Sequence, residues 1–305
     1  MRPDHRPQRS RRARPGARGF TLIELIIVVV LGGIVAAAMS AFMKPAFDAW
    51  FASRNRSTLA AQAGHAMQRM LHDVRVAVPN SVRTPDAACF EVVPTTVGGR
   101  FRKGPDTLKD VKPGCAPGLD CSAPLDAAQP TTIFDVLTPL MSVPAEGDWV
   151  VIDNQNPGDV YAGYNRAAIK YVETPETVYG QHRIYMAGQA IPAGYDGGRF
   201  VVVPQAQGPV FYSCEGADGS VDGNGDGRGV LVRRTGYGFE AEYPSKCPGS
   251  AGGDLLATHV RRCRFLFDPN QGATQQNGYV SMEIELSRGG ESVSLMVGAH
   301  VANAP

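Results

Sequence analysis

From residue 25 to residue 43 the chain is apolar with one polar interruption, Ser40. About 20 such residues suffice to cross a bilayer as a helix. Past Pro45 the pattern changes: Phe47, Trp50, Phe51, Leu59, Ala63, Met67, Met70, Leu71 and Val74 recur at steps of three and four, while Arg54, Arg56, Gln62, Arg69 and Asp73 fall off that stripe. This spacing predicts an amphipathic helix, with Trp50 placed where amphipathic rings favour the membrane–water interface. The helix is expected to end near Val78-Pro79-Asn80, because proline disfavours helix in the residue before it. From Ser81 onward the texture is short β-rich runs broken by Gly, Pro, Asn and Asp. Strands are expected at 89–93, 132–137, 149–152, 182–186, 200–203, 210–213, 230–233 and 263–267. The clearest pair comes last. Val280, Met282, Ile284 and Leu286 alternate with Ser281, Glu283, Glu285 and Ser287, and Arg288-Gly289-Gly290-Glu291 turns the chain into Val293, Leu295 and Val297. That is a hairpin with one buried and one wet face. Residues 98–130, rich in Pro and Gly, read as a long decorated loop. Together these elements predict an α+β fold, a long N-terminal helix laid on a mostly antiparallel β-sheet.

One charge stands at the head of the apolar run. Glu24 lies four residues after Phe20, and Arg2, Arg6, Arg9, Arg11, Arg12, Arg14 and Arg18 crowd the segment before it. An ionised carboxylate near the hydrocarbon region costs roughly 2–3 kcal/mol or more, so it calls for a partner. Cleavage after Gly19 creates one, the new ammonium of Phe20. The stretch Arg18-Gly19-Phe20-Thr21-Leu22-Ile23-Glu24, running into the apolar helix, resembles the class III signal of type IV prepilins and type II secretion pseudopilins. The resemblance implies cleavage between Gly19 and Phe20 by prepilin peptidase, N-methylation of Phe20, and Glu24 as the carboxylate that meets a neighbouring subunit's N-terminus. Gly33 matches a helix-loosening glycine of the family. The family's usual helix proline falls at Ala41, whereas this chain has Pro45. An ordinary signal peptide with an A-x-A site at Ala36-Ala37-Ala38, or a plain anchor, fits parts of the segment. Neither accounts for Gly-Phe-Thr-Leu-Ile-Glu.

The resemblance divides the chain into a leader removed on maturation (1–19), the transmembrane assembly half of the helix (20–43), its amphipathic half (44–79) and a β-rich periplasmic domain (80–305). The basic leader stays cytoplasmic by the positive-inside rule and sends the rest across the inner membrane. Further phrases at 69–75, 79–83, 161–166, 209–214 and 286–295 resemble the MshO family of MSHA-pilus biogenesis proteins. That implies a pilin-like head and a minor subunit working with prepilin peptidase, other minor and major pilins and the inner-membrane assembly platform. The runner-up is a type II secretion pseudopilin. A soluble periplasmic binding protein or enzyme is the reading from a different class.

Composition narrows the rest. A formal net charge of +1 and a pI near 7.6 give no global attraction to nucleic acid or acidic membranes. Arg100, Arg102 and Lys103 around Phe101, and Arg261, Arg262 and Arg264 around Cys263, suit single-stranded DNA, but short charge runs are ordinarily solvated faces. Six cysteines, Cys89, Cys115, Cys121, Cys214, Cys247 and Cys263, all lie beyond the apolar run, where disulfides persist. Cys115 and Cys121 bracket a short turn-rich segment and are the pair the spacing favours; the other pairings stay open among 15 arrangements. A zinc site is the weaker reading, without a paired C-x-x-C. Asp222, Asn224 and Asp226 match the first half of a calcium loop, D-x-N-x-D-G, but position twelve is Arg233 where a bidentate Glu is expected. Glu240 or Glu242 could substitute, and any calcium here is structural; otherwise the segment is a solvated hairpin loop. His65, His72, His182, His259 and His300 form no catalytic motif, so the chain is expected to be no enzyme and to require no cofactor.

Overall fold

The computed structural model describes residues 19–118, 120–126, 129–191, 197–249, 251–269 and 277–302. The chain divides into two compact units, Met1–Ser53 and Arg54–Pro305. Helix α1 spans Leu22–Arg75 and supplies residues to both. In the first unit its apolar side chains are exposed, and it is the one helix among the described residues long and apolar enough to cross a membrane. Pro45 lies inside it without ending it, although its ring cannot donate the helical hydrogen bond at that point.

The second unit continues with β1 (Arg83–Asp86), β2 (Cys89–Val92), β3 (Val97–Arg100), β4 (Thr131–Val136), β5 (Trp149–Ile152) and a short helix α2 (Asp159–Ala162). Then follow β6 (Arg166–Glu173), β7 (His182–Gln189), β8 (Arg199–Val203), β9 (Val210–Glu215), β10 (Gly229–Arg234), β11 (Asp254–Asp268), β12 (Asn277–Arg288) and β13 (Glu291–Ala302). They form two sheets, in the orders β1-β2-β9-β10-β11-β12-β13 and β3-β8-β5-β6-β7-β4. The pairings between these strands are all antiparallel. The architecture is therefore the α+β fold expected, consistent with a pilin-like head, except that the sheet is two sheets.

The larger sheet receives the apolar stripe of α1. Leu59, Ala63, Met67, Met70 and Val74 pack with Phe90, Tyr212, Phe265, Met282 and Ile284 in one core. Phe90 stacks on Tyr212 at 4.9 Å and meets Phe265 edge-on at 5.0 Å. The smaller sheet has a core of its own around Phe134, Phe200 and Ile184. Val78, Val93, Val151, Tyr161 and Val203 join the two layers, and the Tyr161 hydroxyl donates to Ser81 O at 2.8 Å.

Several expectations shift. The helix ends at Arg75, ahead of Val78-Pro79, because the chain leaves it to join the sheet: Val78 N–H donates to Val93 O at 2.8 Å. Asp73, assigned to the polar side, is buried with the stripe. The presumed loop 98–130 begins as strand β3, and β1, β6 and α2 carried no clear signal. Bridges join Cys89 to Cys247, Cys115 to Cys121 and Cys214 to Cys263. The cross-link at Cys115 and Cys121 is the one the spacing favoured.

Candidate processing and assembly site

Gly19, Phe20 and Thr21 precede the first turn of α1, so the peptide bond between Gly19 and Phe20 lies in non-helical backbone. Phe20 is 77% exposed. A Cβ added at Gly19 would meet nothing within 4 Å, so no contact within the chain demands glycine there. The Thr21 hydroxyl accepts the Glu24 backbone N–H at 3.3 Å. Thr21 thus sits as N-cap with Glu24 three residues on, the T-x-x-E spacing of a capping box. The carboxylate occupies the first turn, where the helix macrodipole favours negative charge. Hydrolysis of the exposed Gly19–Phe20 bond leaves a cationic amine one helical turn from Glu24, at the mouth of an apolar helix.

The other sequence candidates fall outside the first unit, in the second. Asp222 Oδ1 accepts the backbone N–H groups of Asn224 and Asp226, each at 2.9 Å. Those donors, Asp226 first and Asn224 next, hold its carboxyl below the usual value. Asp226 Oδ1 accepts Gly289 N–H at 2.7 Å, and its Oδ2 lies 3.6 Å from His259 Nδ1. Ser287 Oγ donates to Gly225 O at 2.9 Å. The loop therefore grips the β12–β13 turn. Arg233, at position twelve, faces Asp73 instead. Glu240 and Glu242 contribute backbone carbonyls to Arg83 at 3.0 and 3.2 Å.

Asp110, Cys115 and Cys121 bring ligand-type atoms within 4.8 Å of one another, yet the two sulfurs are bonded together, and a disulfide offers no thiolate to a metal. Arg102 donates to Tyr179 O at 3.0 Å and lies 3.8 Å from Asp135, and Arg261 pairs with Glu285 at 2.7 Å. Each basic cluster thus spends a member on internal structure. Glu285 is correspondingly half-buried rather than fully wet. His182 Nε2 accepts Leu140 N–H at 3.3 Å, and the ring of His300 packs on Tyr279 at 5.3 Å. His65 and His72 are exposed on α1.

Two buried polar clusters escaped the sequence reading. Asp73, 1% exposed, accepts from the Tyr212 hydroxyl at 2.6 Å and from Arg233 Nε at 2.9 Å. Its signal was present: Asp73 stands three residues after Met70 and seven after Ala66, on the buried stripe itself. Arg83, equally buried, stacks 3.4 Å above the Tyr161 ring and lies 3.7 Å from Glu91, which accepts from the Tyr237 hydroxyl at 2.6 Å. Burial pushes the Glu91 carboxyl up, against the hydrogen bond from Tyr237 and the charge of Arg83. No local pattern marks this cluster, because Tyr161 and Tyr237 lie far along the chain from Arg83 and Glu91.

Residues 14–40 match the family model of the prokaryotic N-terminal methylation motif. No curated protein and no solved structure matches the chain. The matched span contains Gly19, Phe20, Glu24 and Gly33. The chain thus carries the signal of type IV pilin-like and pseudopilin precursors, substrates of prepilin peptidase, followed by an apolar helix suited to membrane anchoring.

Proposed function

We propose that the mature chain is a non-enzymatic minor pilin-like subunit that helps prime an MSHA-type type IV pilus. The observation that carries this is Glu24, an acid in the first turn of α1 at the head of its apolar half, inside the matched methylation motif and four residues from the cleavage product's amine. N-methylation leaves that amine cationic. In a filament core an amine and a carboxylate from adjoining subunits neutralise each other, whereas removing one partner of a buried pair costs roughly 3–5 kcal/mol. The leader arginines orient the helix as a single inner-membrane span with the β-rich domain in the periplasm. The size of that domain supports a minor subunit, since a bulky head tiles poorly along a shaft.

Pseudopilins share the N-terminal signal; the phrases resembling the MshO family, most of all 286–295, favour the pilus. The partners on this reading are prepilin peptidase, other minor and major pilins and the assembly platform, with no nucleic acid. No cofactor is required. A calcium held by Asp222, Asn224 and Asp226 would be structural: a fall in melting temperature on adding EDTA supports it, and no change removes it.

Glu24→Val tests the central role. Processing should proceed as in the wild type while surface pili fall by a factor of about a hundred or more, the scale that a lost buried pair implies. Normal piliation in that variant would refute the role given to Glu24.

A further inference from the structure

The outermost strand of a sheet presents unpaired N–H and C=O groups, and such an edge pairs with another extended chain unless it is short, irregular, charged, broken by proline or covered. The two sheets have four outermost strands, β1 and β13 in the larger and β3 and β4 in the smaller. Three of them are guarded. β1 is four residues long, carries Pro85 and shifts register between Arg83 and Asp86. β3 and β4 are tied to each other: Phe101 bridges Val136, Leu137 N–H donates to Arg100 O at 2.8 Å and Arg102 N–H donates to Asp135 O at 2.9 Å. The fourth, β13, has none of these devices. It runs from Glu291 to Ala302 in unbroken register with β12, and from Ser292 to Val301 it contains no proline, lysine, arginine, aspartate or glutamate.

The hairpin fixes which backbone groups point outward. Gly289 and Gly290 form a two-residue turn with both φ positive, so Arg288 and Glu291 are a hydrogen-bonded pair, and every second residue after Glu291 faces β12. Ser287 agrees with this phase, since its carbonyl turns away from β13 to accept Gly227 N–H at 2.8 Å. Ser292, Ser294, Met296, Gly298 and His300 therefore direct their N–H and C=O groups away from the sheet, and among the described residues no backbone hydrogen bond meets them there. On the core side of the strand, Val293, Leu295 and Val297 pack against the larger core yet stay only partly buried. On the other side Met296 is 66% exposed.

A row of outward amides and carbonyls is completed by an extended backbone. The side chains say which kind: apolar residues at alternate positions of an added strand would carry the core past Val293, Leu295 and Val297, and the edge holds no charge that the newcomer must match. A second copy of β13 fits that description but not the geometry. Antiparallel pairing of β13 with itself turns one sheet by half a turn in its own plane and so reverses the stretch of α1 from Leu59 to Val74 that packs on it, whereas chains inserted in one membrane carry that stretch in the same sense.

We propose, on the filament-subunit reading above, that the outer edge of β13 is a docking strand that pairs with an extended segment of a different pilin-like subunit, one with apolar residues at alternate positions. In the full chain alone, held in phospholipid nanodiscs, hydrogen exchange read residue by residue should be fast at Ser292, Ser294, Met296 and Gly298 and slow at Val293, Leu295, Val297 and Ala299. Slow exchange at both sets would mean that the edge is already covered, and overturns the proposal. In a host lacking the gene, Met296→Pro is then compared with Met296→Ala. Proline is tolerated where an edge N–H faces solvent, so the melting temperature should stay at the wild-type value. Its ring and its missing donor nevertheless block an added strand, and surface pili should fall about tenfold, whereas Met296→Ala keeps the N–H and should assemble as the wild type does. Ser294→Lys, which places a charge on the edge, takes the place of Met296→Pro should that variant fold poorly. Wild-type piliation in both Met296→Pro and Ser294→Lys overturns the docking strand and leaves the subunit reading standing; a wild-type gene that fails to restore pili removes both. Self-association of the wild-type chain in nanodiscs that Met296→Pro abolishes would give the edge to a second copy and likewise overturn the proposal.

Discussion

Asp73 shows how a single buried charge is made tolerable. It sits on the face of α1 that packs on the larger sheet, where an ionised carboxylate is costly unless paired, and it is met by Tyr212 and Arg233 from β9 and β10. Arg69 adds a more distant charge at 3.7 Å. Asp73→Ala strands Arg233 and should lower unfolding free energy by roughly 3–5 kcal/mol in urea titration; a loss under about 1 kcal/mol would mean that the cluster contributes little. Its spacing from Ala66 and Met70 puts the acid on the apolar stripe, although its charge had set it among the polar positions. Its partners were not, because strand pairing rather than helical spacing brings Tyr212 and Arg233 to it.

Glu91 behaves differently. Burial raises its carboxyl from the ordinary value of 4.5, partly offset by Tyr237 and Arg83, while Glu240 adds to the rise. Between the unfolded and the folded value the native state holds the extra proton, so stability falls as pH rises through that window. Asp218 and Asp222, held below 3.8 by Ser220 and by backbone donors respectively, act at lower pH and with the opposite sign. Melting temperature should therefore decline above pH 4.5 in the wild type and flatten in Glu91→Gln, which keeps an acceptor for Tyr237. An unchanged slope in Glu91→Gln would place the titration on another group.

Among the elements, the β12–β13 hairpin was the most legible. Its pairing register is unbroken through twelve pairs, and Gly289 and Gly290 supply the positive φ of 59° and 78° that a tight turn between twisted strands needs. What grips the turn was hidden, since it comes from the 222–227 loop and depends on the register that sets β10 beside β11. Asp226→Ala removes the acceptor of Gly289 N–H and should cost roughly 0.5–2 kcal/mol, with faster hydrogen exchange at Gly289 as the local sign. Exchange at the wild-type rate would show that the turn holds itself. Strand β3 was missed for the reverse reason. Gly98 and Gly99 read as loop, but a Cβ at Gly98 would lie 2.7 Å from Phe200 O and one at Gly99 2.6 Å from Thr138 Oγ1, so the glycines permit a close approach inside a sheet. Helix α2 is a single turn and leaves no periodicity to read.

At the scale of the whole molecule, the two ends of the chain and most of the strands between them were readable, and the pairing of those strands was not. The apolar run, the amphipathic stripe and the final hairpin are local patterns with periods of 3.6 and 2. Division into two sheets follows instead from pairings distant in the chain, such as β2 with β9 and β3 with β8, where Cys89 meets Ser213 and Val97 meets Val202. The bridge between Cys89 and Cys247 spans 158 residues, and a link over so long a loop removes roughly 4–5 kcal/mol of unfolded-chain freedom in the loop-closure account. Its partners could not be read from spacing, whereas those of the short Cys115–Cys121 loop could. The N-terminal signal is legible for another reason: a signal read by a processing enzyme is compressed into a few consecutive residues, and the methylation motif matches residues 14–40 alone.

The most direct test of the account is the mass of the N-terminal peptide of the protein extracted from its own host's membranes. The account predicts a peptide that begins at Phe20 and carries one added methyl group on its amine. A chain beginning near Met39 or Phe42, recovered from the soluble periplasm, would mean ordinary signal-peptide cleavage and would contradict the role of Glu24 in a filament.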